Sequence, residues 1–471
     1  MSMSLSSLDI LHIVAALSAI LVCAHLGGFL ACRIGLPPMI GELCGGLLLG
    51  PTVLQRIWPE GQAWLLPAPA SDGGGVPPVL VVLDFCSTIG LLLLMFLGGL
   101  QLRRLMTRRD AASIGWISAM GVIVPVAGGL LMLEFIDVTP YLGSANSVAA
   151  LKIVLLIELA ITSIPVITRI LLDLGLMNTR LARIVLSVAV IEDVLLYVAL
   201  SIALGMAQAS SQGDASLPSL LGLEPDSVAF MAWHVAASLL LLVWASLGGR
   251  RVNSDRHDLV SARHGLVRRS PLAWALISIL AGTGLAMLLG LAPMFGALVA
   301  GIVASKQAGP SSVAAFQQIE ALGHAFFIPI YFALIGISLD LVRDFDAPMT
   351  LGLLVFGTFF KYCGALGGAL IAGERAVMAN ALAVSVNARG GPGLVVAASA
   401  FAAGIINPAA YTGFVVLALV TSVGAGIFLA RLLRRSPEAF GEMQVPDESG
   451  TLRDRARRAL RLRPPVSGDA A

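Results

Sequence analysis

Two adjacent acids, Glu192 and Asp193, sit near the middle of an apolar run of 25 residues, Arg180 to Leu204. A charge at bilayer depth costs roughly 2.5–3.5 kcal/mol even on the lenient insertion scale, so two together need a reason. A carboxylate gives a cation both oxygen ligands and a counter-charge, and it can bind a proton instead. One such group is enough to make cation and proton compete, and Asp193 is the residue expected to do so. Thr162 and Ser163, at a Thr-Ser-Ile-Pro165 interruption, can add hydroxyl or carbonyl oxygens. Lys361 and Arg389 are the two basic residues left over once the others are assigned to loops and span ends, and both fall inside apolar stretches. Lys361 is the natural partner of Glu192, either in a pair that breaks and reforms during exchange or in a static clamp. Arg389 precedes Gly390, Gly391 and Pro392, where it can offset half-helix carbonyls or pair with Glu158. Glu42 is read as part of an access funnel or as a locally paired acid.

The elements that position these residues are membrane spans. The chain has 471 residues, 57% of them hydrophobic and 12% charged, against about 25% charged in soluble domains. Thirteen apolar stretches are read as spans: 8–32, 38–56, 81–102, 112–134, 149–173, 180–207, 228–248, 271–290, 292–306, 322–340, 349–372, 376–404 and 409–435. Alternate loops then receive 25 of the 30 Lys and Arg on one side, which the positive-inside rule assigns to the cytoplasm, with the N-terminus outside. The first run lacks a basic leader and is kept as a helix. The multi-pass chain is expected in the cell (inner or plasma) membrane.

An internal repeat supports this layout. Residues 36–50 (LPPMIGELCGGLLLG) and 291–305 (LAPMFGALVAGIVAS) share six of 15 positions. They open the second and ninth spans, so the two copies run in opposite directions, as in many secondary transporters. Under the repeat the fifth and twelfth spans are equivalent, and both are interrupted, at Thr162–Pro165 and at Arg389–Gly393. Interrupted helices at corresponding positions point to a binding site. Neither a Walker A loop nor zinc or haem spacing occurs, and the five Cys form no CxxC pair. No enzyme activity, cofactor or nucleic-acid partner is expected.

The stretches LPPMIGELCGGLLLGPTVL (36–54), TIGLLLLMFLGGLQL (88–102), TSIPVITRILLDLGL (162–176), VIEDVLL (190–196), LAPMFGALVAGIVAS (291–305), FFIPIYFALIGISLDL (326–341) and NARGGPGL (387–394) together resemble the Kef/Nap branch of the monovalent cation:proton antiporters over about residues 10–435. The resemblance implies an all-α fold of 13 transmembrane helices in two inverted six-helix repeats with crossing broken helices. It implies dimerisation helices in 1–106 and 271–345 and core transport helices in 107–207 and 346–435. Residues 208–270 hold the outside loop, linker helix and basic loop, and 436–471 form a cytoplasmic tail. It further implies a homodimer in lipid, elevator-type alternating access, Asp193 as the essential ion-binding aspartate, and Lys361 as the lysine facing Glu192. Sodium–proton exchange is the favoured reading. Potassium–proton antiport or ungated potassium efflux is the alternative, and a non-transporting membrane sensor is a third. The Glu-Asp pair departs from the Asp-Asp and Gln-Asp pairs of related systems. A covalently attached nucleotide sensor is not expected after the short tail.

Overall fold

The computed structural model describes residues 5–67, 76–101, 110–177, 179–208, 216–224, 227–248, 270–306 and 310–435. The arginines at 103–109, the basic loop from Arg250 to Arg269, and the tail 436–471 lie outside the described residues. Helices form at each stretch read as a span. They are α1 (Ser7–Arg33), α2 (Pro38–Leu49), α3 (Pro78–Gln101), α4 (Ala111–Leu133), α5 (Val148–Ala160), α6 (Ile164–Asp173), α7 (Arg180–Gln208) and α8 (Val228–Gly248). There follow α9 (Pro271–Leu288), α10 (Pro293–Lys306), α11 (Pro310–Leu322), α12 (Ile328–Ile337), α13 (Ala347–Ile371), α14 (Ala376–Val386), α15 (Gly391–Ala402) and α16 (Pro408–Arg435). Six of them begin on a proline, where the missing N–H would have had no helical partner.

Among the described residues, ten helical stretches are long and apolar enough to cross a membrane, with α11–α12 and α14–α15 each counted as one. The chain is a multi-pass membrane protein. Two boundaries differ from the sequence reading. The span expected over 38–56 stops at Leu49, because Gly50 turns against the backbone of Ile337 and Pro51 cannot continue the helix. The span expected over 322–340 begins at Pro310, since the polar residues Gln317, Gln318 and Glu320 belong to a helix that runs on through a π turn at Gly323–Phe327.

The repeat is visible in the packing. Gly35 (φ 77°) and Gly290 (φ 76°) end the preceding helices in the left-handed region that suits glycine, and each is followed by the same returning bond, Leu36 N–H to Ala31 O and Leu291 N–H to Ala286 O. Gly290 thereby separates α9 from α10. Inside the motif, Gly41 meets the backbone of Gly27 on α1, and Gly296 meets Gly282 on α9. Gly46 lies against Ala333 of α12, and Gly301 against Phe96 of α3. A Cβ at any of these four would fall within 2.3 Å of a carbonyl oxygen. The two copies thus perform the same packing with partners exchanged between the repeats.

The helices sort into two groups by contact. In one, α2 packs on α1 and α12, and α10 packs on α3 and α9. In the other, α4 packs on α13, α5 on α7, and α14 and α15 on α16. Helix α8 touches both α7 and α10. Ion pairs tie the starts of α4 and α7 to the α13–α14 turn. Arg180 reaches Asp110 at 2.8 Å and Glu374 at 2.7 Å, Arg183 reaches Asp110 at 3.2 Å, and Ser113 donates to Glu374 at 2.5 Å.

Candidate ion-binding site

The site is built where two helix breaks cross. Helix α5 ends at Ala160 because Pro165, in the first turn of α6, has no amide hydrogen with which to continue an α-helix through the break. Helix α14 ends at Val386, and α15 starts at Gly391 with Pro392 in its first turn. The gaps touch directly. Ser163 N–H donates to Ala388 O at 2.7 Å, and Thr162 Oγ1 lies 2.5 Å from Val386 O. Gly390 is required by the crossing, since a Cβ there would stand 2.3 Å from Val166 Cγ2 and 3.0 Å from Ser163 Oγ. The Ser163 hydroxyl also caps α6, accepting from Val166 N–H at 3.4 Å.

Two cations close the broken end of α5. Lys361, on α13, donates to Ala160 O at 2.5 Å, to Gly121 O at 3.0 Å and to Glu192 Oε2 at 2.7 Å. Its three hydrogens therefore each have an acceptor. Arg389 donates through Nη2 to Leu159 O at 2.9 Å and to Gly357 O at 2.8 Å. Helix C-terminal carbonyls carry partial negative charge, so cations belong there. Of the two roles expected for Arg389, offsetting half-helix carbonyls is the one seen. Glu158 makes no hydrogen bond to it, since neither carboxyl oxygen has a partner, but the two groups lie within electrostatic reach of each other.

The acid pair divides. Glu192 is fully buried and ion-paired, with Thr162 Oγ1 2.6 Å from the same Oε2, while Oε1 packs where a Gly121 Cβ would come within 2.7 Å. Asp193 turns the other way. It is 8% exposed, its Oδ1 has no hydrogen-bond partner, and it lines a cavity of about 290 Å³. Glu42 of α2, Thr168 and Arg169 of α6, Tyr197 of α7, His324, and Gly391 and Pro392 of α15 share that wall. A carboxylate with an unused oxygen, at a cavity between two broken helices, can hold a small cation or a proton.

Of the residues singled out from the sequence, the structure brings Glu192, Thr162 and Lys361 into one bonded cluster, and Asp193 and Glu42 into one cavity. Ser163, Arg389 and Gly390 lie in or beside the crossing. Two cavity residues carry no such signal in the sequence reading: Tyr197, whose spacing of four from Asp193 puts it on the same helix face, and His324, a lone histidine in an apolar stretch. The backbone acceptors Gly121 O and Gly357 O carry no sequence signal either.

This arrangement defines a class: a helical membrane carrier with a buried acid at the crossing of two interrupted helices. The profile of the transmembrane sodium/hydrogen exchanger family matches residues 18–435, and the chain belongs to that family. A Na⁺/H⁺ antiporter of Enterococcus hirae is 27% identical over 89% of this chain and 97% of its own length. NhaS4, a Na⁺/H⁺ antiporter of a Synechocystis strain, is 27% identical over 88% and 95%. GerN of Bacillus cereus, a Na⁺/H⁺–K⁺ antiporter, is 26% identical over 86% and 92%. The solved sodium–proton antiporter MjNhaP1 of Methanocaldococcus jannaschii superposes with a TM-score of 0.57 at 13% identity, covering 93% of this chain and 99% of that one. That likeness establishes the antiporter fold.

Proposed function

We propose that the chain is a secondary monovalent cation:proton antiporter that exchanges Na⁺ for H⁺ at Asp193. The observation that carries this reading is the Asp193 carboxylate, with an oxygen unused, on the wall of the cavity beside the crossed breaks. A desolvated carboxylate needs a cation or a proton. Each therefore displaces the other, and the site crosses loaded with one of them. Thr162 and Ser163 hold the break that supplies nearby oxygens, and Glu42 adds a second carboxyl to the cavity wall, whose ionised form would draw cations inward. Lys361 and Glu192 fix the frame around the exchanging group. The helices α4–α7 and α13–α16 form the moving core of an elevator, and α1–α3 and α9–α12 form the fixed dimerisation part of a homodimer. Thirteen crossings place the N-terminus outside and the C-terminus in the cytoplasm of the cell membrane.

The names of the Enterococcus and Synechocystis relatives support sodium as the cation. The Bacillus cereus relative, named for both Na⁺ and K⁺, favours potassium–proton exchange as the second reading. Proteoliposomes with an entrapped pH dye decide, with Na⁺, Li⁺ and K⁺ added one at a time. The expected result is dequenching by Na⁺ that disappears in Asp193→Asn. Substantial exchange by that variant would remove the assignment, and a response to K⁺ alone would replace sodium.

A further inference from the structure

Glu158 is a second buried acid that the exchange described so far does not use. It sits on α5 just before the break and is 0% exposed, and neither carboxyl oxygen has a hydrogen-bond partner. The side chain faces the first turn of α15, where a Cβ on Gly393 would stand 3.4 Å from Oε2 and 3.9 Å from Oε1. Helix α15 has 12 residues and no side-chain cap. The helices packed on α5 are α4, α7, α13 and α15. They bring Glu192, Asp193 and Tyr197 from α7 and Lys361 from α13, while Arg389 stands ahead of α15. Lys361 has its three hydrogens placed on other acceptors. Arg389 uses Nη2 on two carbonyls, and its Nε and Nη1 have no partner. Among the described residues, Arg389 is the one positive charge within electrostatic reach of Glu158, and it makes no hydrogen bond to it, so a fully desolvated carboxylate here would be the costly state.

We propose that Glu158 is a second proton-binding carboxyl of the transport core, holding a proton in this state, so that two protons move per cation. This rests on the reading of Asp193 as the exchanging carboxylate. Release breaks the Glu158 O–H bond and leaves a carboxylate. Arg389, within electrostatic reach and with Nε and Nη1 hydrogens unused, is the group that would take up that charge. Tyr197 offers the route out. It stands one turn from Asp193, lines the cavity with Gly391 and Pro392, and has a hydroxyl with no partner that lies within electrostatic reach of both Asp193 and Glu158. Lys361 is a poor carrier of the second proton, because losing one would empty a bond at the end of α5.

The test uses the full-length protein in liposomes with two readouts. Infrared spectroscopy reads the C=O stretch of protonated carboxyl groups. Paired measurements of proton flux and radioactive sodium flux give the ratio transported. In Glu158→Gln one protonated-carboxyl band is expected to vanish, and the proton-to-sodium ratio to fall about twofold, while Glu158→Asp keeps both. A spectrum unchanged by Glu158→Gln, or an unchanged ratio, overturns the proposal. If that variant carries no flux, the infrared band decides. Asp193→Asn serves as the separating control. Exchange that persists there defeats the reading of Asp193 as the exchanging carboxylate, whereas a Glu158 result that fails with Asp193→Asn silent defeats only the second proton.

Discussion

The break after α5 and the break after α14 correspond under the internal repeat, yet they are held in opposite ways. The last carbonyls of α5, Leu159 and Ala160, accept from two buried cations, Arg389 and Lys361. Those of α14 and its turn, Val386 and Ala388, face only the Thr162 hydroxyl and the Ser163 amide. A helix C-terminus carries about half an elementary negative charge. One break meets it with full charges and the other with dipoles. The leading ends differ as well, since Ser163 caps α6 while α15 starts on Gly390 without a side-chain cap. The asymmetry explains the acid pair. With the cations gathered at α5, Glu192 is drawn to Lys361, and Asp193, one residue on, is left to face the cavity unpaired.

The largest effect that can break this comparison comes from Lys361. In Lys361→Met the end of α5 loses its charge and Glu192 is left alone in a dry interior, a situation that costs about 3–5 kcal/mol. A large fall in melting temperature of the detergent-purified protein is expected, with much of it regained in the double variant Lys361→Met/Glu192→Gln. No recovery would mean that the helix end, rather than the stranded carboxylate, dominates.

How much of this was open to sequence reading depends on the kind of signal. The breaks were legible because proline and paired glycines act through the backbone wherever they stand, at Pro165 and at Gly390–Pro392. Intramembrane charges were legible because they are expensive, which singled out Lys361, Arg389, Glu192 and Asp193 before any contact was known. Their pairing was only half legible. Lys361 had one acid to meet, but Arg389 had two kinds of acceptor, and backbone carbonyls such as Leu159 O and Gly357 O leave no mark in a sequence. The helix end at Leu49 was misjudged because hydropathy continues past Gly50 while the backbone cannot. The start at Pro310 was misjudged for the reverse reason, since Gln317, Gln318 and Glu320 lower the hydropathy of a stretch that stays helical.

Arg389 sharpens the comparison at an intermediate scale. Arg389→Met removes bonds to Leu159 O and Gly357 O, and charge-assisted hydrogen bonds are worth about 1.5–3 kcal/mol. No carboxylate loses an ion pair here, so the destabilisation is expected to be smaller than that of Lys361→Met in the same melting assay. A loss as large or larger would show that Arg389 already supports the charge of a buried acid, and the two cations would then be equivalent.

The smallest expected effect lies at the neutral end, with Thr162. Its oxygen stands 2.6 Å from Glu192 Oε2 and 2.5 Å from Val386 O, but a hydroxyl has one hydrogen and serves one acceptor at a time. The side chain therefore bridges the charged break and the neutral one with a single bond to share. Thr162→Val keeps the shape and removes that bond, at about 1 kcal/mol, whereas Thr162→Ser keeps the hydroxyl and is expected to melt close to the wild type. If Val lowers the melting temperature no more than Ser, the bridge carries no weight, and α14 is held by the Ser163 amide alone. If Val approaches the loss seen in Arg389→Met, the α14 end leans on its hydroxyl as heavily as the α5 end does on a full charge, and the contrast between the two breaks reduces to which group supplies the hydrogen.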